Sequence, residues 1–252
     1  MQILLADAKT MSPTGRRSES VPLFRETARL LARDLASYTA DELVELFRCS
    51  PAVARETRER FRDFATAEAD PALFAFTGQA YRHLRAETLD EQALAFGQSH
   101  LFITSFLYGL LRPLDGIAPY RMEHYLSLPS SGGVPMDRFW RERLTEPLLE
   151  AVREDDGTLL HLSTGEYEEL FDWGRVTAEA RVVAPRFLVR KEGALKVQAV
   201  WAKSCRGAMA RHILEQRVGD PEAMQGFSYC GFSYAPELGD PLHPHFVRDD
   251  DR

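Results

Sequence analysis

The sequence predicts a mixed α/β fold, residues 1–252 forming one domain whose central mixed sheet is flanked by helices. Three observations predict it. Short apolar runs of strand length recur at ILLADAKT (3–10), HLFITS (100–105) and TLLHLS (158–163). Amphipathic helical segments separate those runs. Two further runs, near 181–190 and 195–202, flank the turn KEGAL and read as a late hairpin.

Taken in order, ILLADAKT opens as a strand, and the turn-rich residues 11–22 read as a loop. A helix over about 23–36 places Phe24, Ala28, Leu31 and Leu35 at helical spacing. Thr39 caps a helix in ADELVELFR, and Ser50-Pro51 opens a second helix, so residues 40–64 form a helical hairpin carrying Arg55, Arg58, Arg60 and Arg62. Residues 72–85 read as strand, turn at Gly78 and helix, followed by a helix over about 89–98. Pro113 and Pro119 make residues 106–125 irregular after one helical turn. A helix from Met136 to about Val152 is expected to kink at Pro147 or restart after Thr145. A helix from Ser204 to Val218 follows the late hairpin; the last 25 residues read as irregular, with Asp249 to Asp251 frayed.

A net charge of −7 excludes a surface that is basic throughout, so any anion-binding patch must be local. No apolar run approaches the roughly 20 residues that span a bilayer, and the start lacks a basic n-region, so no membrane association is expected. The three cysteines are odd in number and lack CxxC spacing, which points to a reducing cytoplasm. No cofactor is expected, because the chain has no Walker loop, GxGxxG, HExxH or GxSxG.

Chemistry is expected at three strand ends, which should converge on one crevice. They present Asp7 and Lys9; Ser163, Thr164, Glu166 and Tyr167; and Lys203, Ser204 and Arg206. Ser163 and Glu166 also fit a capping box, a purely structural reading. Lys203 and Arg206 at a helix start would oppose the macrodipole unless an anion bound there. Arg211 and Arg217 also fit a solvated helix face, and Arg112 and Arg121 divide between scaffold and ligand contact.

ILLADAKT, FTGQAYRHL, LYGLLRPLDGIAPYRME, LSTGEY and KSCRGAMARHILEQR, in this order over nearly the whole chain, resemble the YaaA family of bacterial peroxide-stress proteins. The resemblance implies a cytoplasmic protein of the oxidative-stress response, linked to limiting free iron. It implies an unusual α/β fold with a helix-hairpin-helix element and a positive cleft that binds duplex or distorted DNA. Three departures stand out. Ala6-Asp7 replaces the family's Ser-Pro, Glu169 replaces a lysine, and the turn Arg48-Cys49-Ser50-Pro51 lacks the usual glycines. Lost cations weaken a DNA footprint. The retained Lys9, Arg112, Arg121, Glu166, Tyr167, Lys203 and Arg206 fit a small phosphorylated ligand.

Two functions are therefore expected. The first is a stress protein binding nucleic acid or a phosphorylated nucleotide in a cationic cleft, with Lys9, Arg112, Arg121, Thr164, Lys203, Arg206 and Arg211 as ligand contacts. The alternative is a nucleotide N-glycosidase, a hydrolase with Glu166, Tyr167 and Asp7 as its catalytic set. An iron-handling role finds no clustered ligand set.

Overall fold

β1 (Gln2–Ala6) lies in the middle of its sheet because Ile3, Leu4 and Leu5 are all buried, as a strand covered on both faces requires. The computed structural model describes residues 1–249, so the acidic residues Asp250 and Asp251 lie outside the described residues. After the irregular stretch that follows β1 come α1 (Arg25–Ala36), α2 (Ala40–Phe47) and α3 (Pro51–Asp63). Thr39 forms a full capping box on α2, and the Ser50 side chain caps α3, so the hairpin forms where its caps place it.

β2 (Asp70–Pro71) leads into α4 (Ala72–Ala75), a single helical turn where a strand is expected. The backbone of Ala72 and Leu73 donates to Asp115 O and Pro113 O, which ties this turn to the proline-rich loop instead of to a sheet. α5 (Gln79–Leu84), α6 (Glu91–His100) and β3 (Leu101–Ser105) follow. β4 (Gly109–Leu111) corrects the helical turn expected after residue 105, since it folds back antiparallel on β3. Ser105 Oγ accepts from the backbone of Leu107 and Tyr108 and closes that turn.

β5 (Gly116–Ile117) pairs with β2, and α7 (Met136–Glu154) then runs unbroken through Pro147 with no restart. β6 (Thr158–Leu162), α8 (Gly165–Glu168), α9 (Trp173–Glu179) and β7 (Arg181–Val183) complete the first half. The first sheet has the order β4-β3-β1-β6-β7, parallel except for β4. From β1 the chain goes to β3 on one side and β6 on the other, so a topological switch point lies at the carboxyl end of β1.

The expected run 181–190 splits at Ala184, because β8 (Arg186–Lys191) belongs to a second sheet. The turn at Glu192-Gly193 joins β8 to β9 (Ala194–Lys196) as expected. The strand expected to 202 stops at Lys196, and α10 (Ala199–Gln216) begins five residues before Ser204. The final segment is strand where irregular chain is expected. β10 (Ser228–Tyr229), β11 (Phe232–Asp240) and β12 (His243–Asp249) build the order β10-β11-β12-β8-β9, sealed by Phe187, Phe232 and Phe246. Asp249 is held there by Arg190 at 3.1 Å instead of fraying.

α10 packs against α5 at a very close approach. A Cβ on Gly207 would sit 1.8 Å from the Ala80 carbonyl oxygen, so the two backbones touch where only glycine fits.

Candidate functional site

A cavity of about 370 Å³ opens at the carboxyl ends of β1 and β6, with α5 and α10 as its facing wall. Asp7, Lys9, Thr164, Glu166, Tyr167, Lys203 and Arg206 all line it. Its origin differs from the three strand ends expected. β1 and β6 contribute as foreseen, but Lys203 and Arg206 are the fifth and eighth residues of α10, past its first turn. The expected clash of these cations with a helix start is therefore absent.

Asp7 anchors the site. Its carboxylate accepts hydrogen bonds of 2.5 Å from both Tyr120 and Tyr167. Tyr120 also pairs with Ser105 Oγ at 2.7 Å, and Tyr167 stacks on Phe106 at 4.7 Å, so neither donor is free to turn away. Asp7 keeps part of its surface open to the cavity but lies deep among protein atoms. Burial pushes its carboxyl up to about 6, helped by the charge of Glu166, while the two tyrosines and Lys9 pull it back. Burial and the neighbouring Asp7 charge push both tyrosines upward, which keeps them protonated donors.

Glu166 stands at the cavity mouth, half exposed, 3.9 Å from His124 Nε2. The capping box expected of Ser163 and Glu166 does not form. The residue preceding α8 is Thr164, no side chain caps the helix, and Ser163 Oγ is buried without a partner. Glu166 is thus not consumed by a structural role at the helix start.

The cations divide sharply. Among the described residues, neither Lys203 nor Arg206 forms an ion pair or side-chain hydrogen bond; Lys203 is exposed, and burial pushes Arg206 downward. Lys9 Nζ lies 2.6 Å from Glu123, a buried carboxylate that also takes Arg121 at 2.9 Å. Arg112 is placed elsewhere. It bonds Gln2 Oε1 and Leu101 O and lies 3.5 Å over the Phe102 ring, at the amino ends of β1 and β3, opposite the cavity. Burial there pushes it down to about 10. Arg211 bonds Leu84 O, Arg85 O and Thr88 Oγ1, tying the end of α5 to α10. Neither Arg112 nor Arg211 lines the cavity.

Sequence reasoning missed Tyr120 and Gln79. Tyr120 meets Asp7 across 113 residues, a separation at which no local pattern speaks. The hairpin is tied to the chain after Glu123 through Tyr125, whose hydroxyl donates to Phe47 O at 3.1 Å while Arg48 covers its ring. Among the described residues no helix is long and apolar enough to cross a membrane, and no group of three or more His, Cys, Asp or Glu side chains could hold a metal ion.

Comparison with known proteins agrees in its coverage. The sequence model of the family described as "Peroxide stress protein YaaA" matches residues 1–238. The chain is 39% identical to a UPF0246 protein of Bacteroides thetaiotaomicron over 252 residues, covering 98% of both chains. It is 38% identical to a UPF0246 protein of Phocaeicola vulgatus over 254 residues, again 98% of both. A UPF0246 protein of Ruegeria pomeroyi is 36% identical over 258 residues, with the same coverage of each. A match over nearly the whole length assigns the family: the chain belongs to the YaaA family of peroxide-stress proteins.

Proposed function

We propose that this peroxide-stress protein binds a phosphorylated nucleotide in the cavity, free or presented by a nucleic acid, in the cytoplasm. One observation carries the reading. Lys203 and Arg206 line a concave site without any carboxylate partner among the described residues, and the remaining polar groups converge opposite them. An unneutralised cation pair on a concave wall is matched by a dianion, and a ribose and base fit a cavity of this size. Lys9 is the third phosphate contact, and Arg121 acts through Glu123, the carboxylate it shares with Lys9.

A second observation favours turnover at the same site. Asp7 is held at about 6 beside a half-exposed Glu166, and carboxylates whose environments differ in this way can divide acid and base work. In N-glycoside hydrolysis the bond from the sugar C1′ to the base nitrogen breaks, and the base leaves with the electron pair and takes up a proton. Water adds its oxygen to C1′ and gives up a proton. The Glu166 side chain stabilises the cationic sugar, and Asp7, held by Tyr120 and Tyr167, exchanges the proton. Incubating the protein with a panel of nucleotides, with binding measured by calorimetry and free base by chromatography, tests both. Release of base supports hydrolysis, binding alone supports the binding reading, and the absence of both binding and base release overturns the proposal.

A further inference from the structure

A glutamine in the cavity wall has no freedom of orientation. Gln79, the first residue of α5, lines the cavity, and its Nε2 lies 2.9 Å from Ser204 Oγ and 3.1 Å from His83 Nε2. Which end of a glutamine amide is nitrogen must be settled from its network. Here the network settles it. Ser204 Oγ also lies 2.9 Å from the Val200 carbonyl, which can only accept, so the single hydroxyl proton of Ser204 points there. Ser204 therefore accepts from Gln79, and the atom facing it is the amide nitrogen. The second amide proton points at His83 Nε2, which must carry the lone pair. That places the ring proton on Nδ1, facing the Tyr229 hydroxyl at 2.5 Å. Burial and Arg82 push His83 downward and keep the ring neutral, as this arrangement needs.

Both amide protons are thus committed to the protein. Among the described residues Oε1 has no partner, and it is not one of the buried polar atoms sealed from solvent. We propose that Gln79 Oε1 is a fixed hydrogen-bond acceptor that makes the cavity selective for ligands offering an N–H or O–H donor at that point. This rests on the nucleotide reading above and names its selectivity. A nucleotide has two sources of such a donor: the exocyclic amine of adenine or cytosine, and the sugar hydroxyls. A keto group in place of the amine would set two acceptors face to face, and a site built around one hydrogen bond rejects an analogue lacking its partner. Gln79 itself touches the ligand; Ser204 and His83 are positioning residues that prevent the amide from turning over.

The test measures dissociation constants for the 5′-monophosphates of adenosine, inosine, cytidine, uridine and 2′,3′-dideoxyadenosine. If Gln79 faces the base, adenosine and cytidine nucleotides bind at least about tenfold more tightly than their inosine and uridine counterparts. If it faces the sugar, the preference instead separates adenosine from the dideoxy nucleotide. Gln79→Met, which removes the acceptor at similar size, should bring the preferred ratio close to one. Ser204→Ala should reduce the same ratio by freeing the amide to rotate, without touching the ligand; it serves alone if Gln79→Met fails to fold by its melting curve. Equal binding across the panel, or full selectivity in these variants, overturns the role of Gln79 while nucleotide binding stands. Failure of every nucleotide to bind overturns the nucleotide reading itself, and this inference with it.

Discussion

The α2–α3 hairpin and the β1–β6 cavity both gather cations, and they treat charge in opposite ways. In the hairpin, Arg48, Arg55, Arg58, Arg60 and Arg62 are interleaved with Asp41, Glu42, Glu45, Glu56, Glu59 and Asp63, one carboxylate more than there are arginines. Arg60 pairs with Glu56 and Arg62 with Asp63 at the surface, where such pairs contribute little. The cavity holds fewer cations, yet Lys203 and Arg206 meet no carboxylate among the described residues. The hairpin is richer in arginine, and its Arg48, Arg55 and Arg58 likewise form no ion pair among the described residues, but they stand on an open, exposed surface. What marks a site for an anion is therefore a set of unpaired cations on a concave wall, which depends on packing, rather than the density of basic residues.

The comparison can be broken most severely at Glu166. Glu166→Gln keeps the shape of the side chain but not its charge, so base release should fall by orders of magnitude while nucleotide binding survives. Unchanged turnover in that variant removes Glu166 from the chemistry and leaves the cavity a binding site. The next test sets the two regions against each other. Replacing Lys203 and Arg206 with alanine should flatten the slope of log affinity for nucleic acid against log salt by about one to two. Arg55→Ala with Arg58→Ala should leave that slope unchanged; the reverse result would move the interface to the hairpin.

Asp7 sharpens the contrast from the side of stability. Its carboxyl is raised when folded, so the native state binds its proton more tightly than the unfolded chain does. The contribution of Asp7 is thus favourable in acid and is lost as pH rises through about 6. At neutral pH it costs the fold up to about 3 kcal/mol, less whatever the open cavity screens. Asp7→Asn should then raise the denaturant midpoint at pH 7 and change it little at pH 4, while activity is lost. A midpoint that drops equally at both values would mean that Asp7 is a structural anchor. The smallest effect belongs to the hairpin, where Thr39→Ala breaks the capping box at a cost of about 1 kcal/mol in thermal unfolding and leaves ligand affinity untouched.

Local chemistry made half of this molecule legible. Thr39 and Ser50 cap helices where a sequence can show it, and Ile3 to Leu5 and Leu101 to Ile103 are buried strand residues in uninterrupted apolar runs. The strands β10 to β12 were not legible, because their glycines, prolines and scattered aromatics break the alternation that identifies a half-buried strand. The start of α10 was misplaced for a related reason: valine and tryptophan at 197–201 favour strand locally, and packing against α5 overrides them. In the site, Asp7 and Glu166 could be picked out at element ends, whereas Lys203 and Arg206 were reached from a helix start that the structure places five residues earlier. Arg112 could not be told from them, since only the fold reveals that its partners, Gln2 and Leu101, lie at the far ends of the same strands.

The contact between Gly207 and Ala80 has a consequence for how this cavity can change over generations. A cleft whose walls are spaced by side chains can be resized a methyl group at a time, and a lineage can sample neighbouring ligand sizes gradually. Here the two halves of one wall, α5, which carries Gln79, and α10, which carries Lys203 and Arg206, are spaced by two backbones in contact. Any side chain at position 207 must force them apart in one jump. The spacing of Gln79 on α5 from the cations on α10 is therefore inherited as an all-or-none trait attached to a single codon, while the side chains across the cavity remain free to drift.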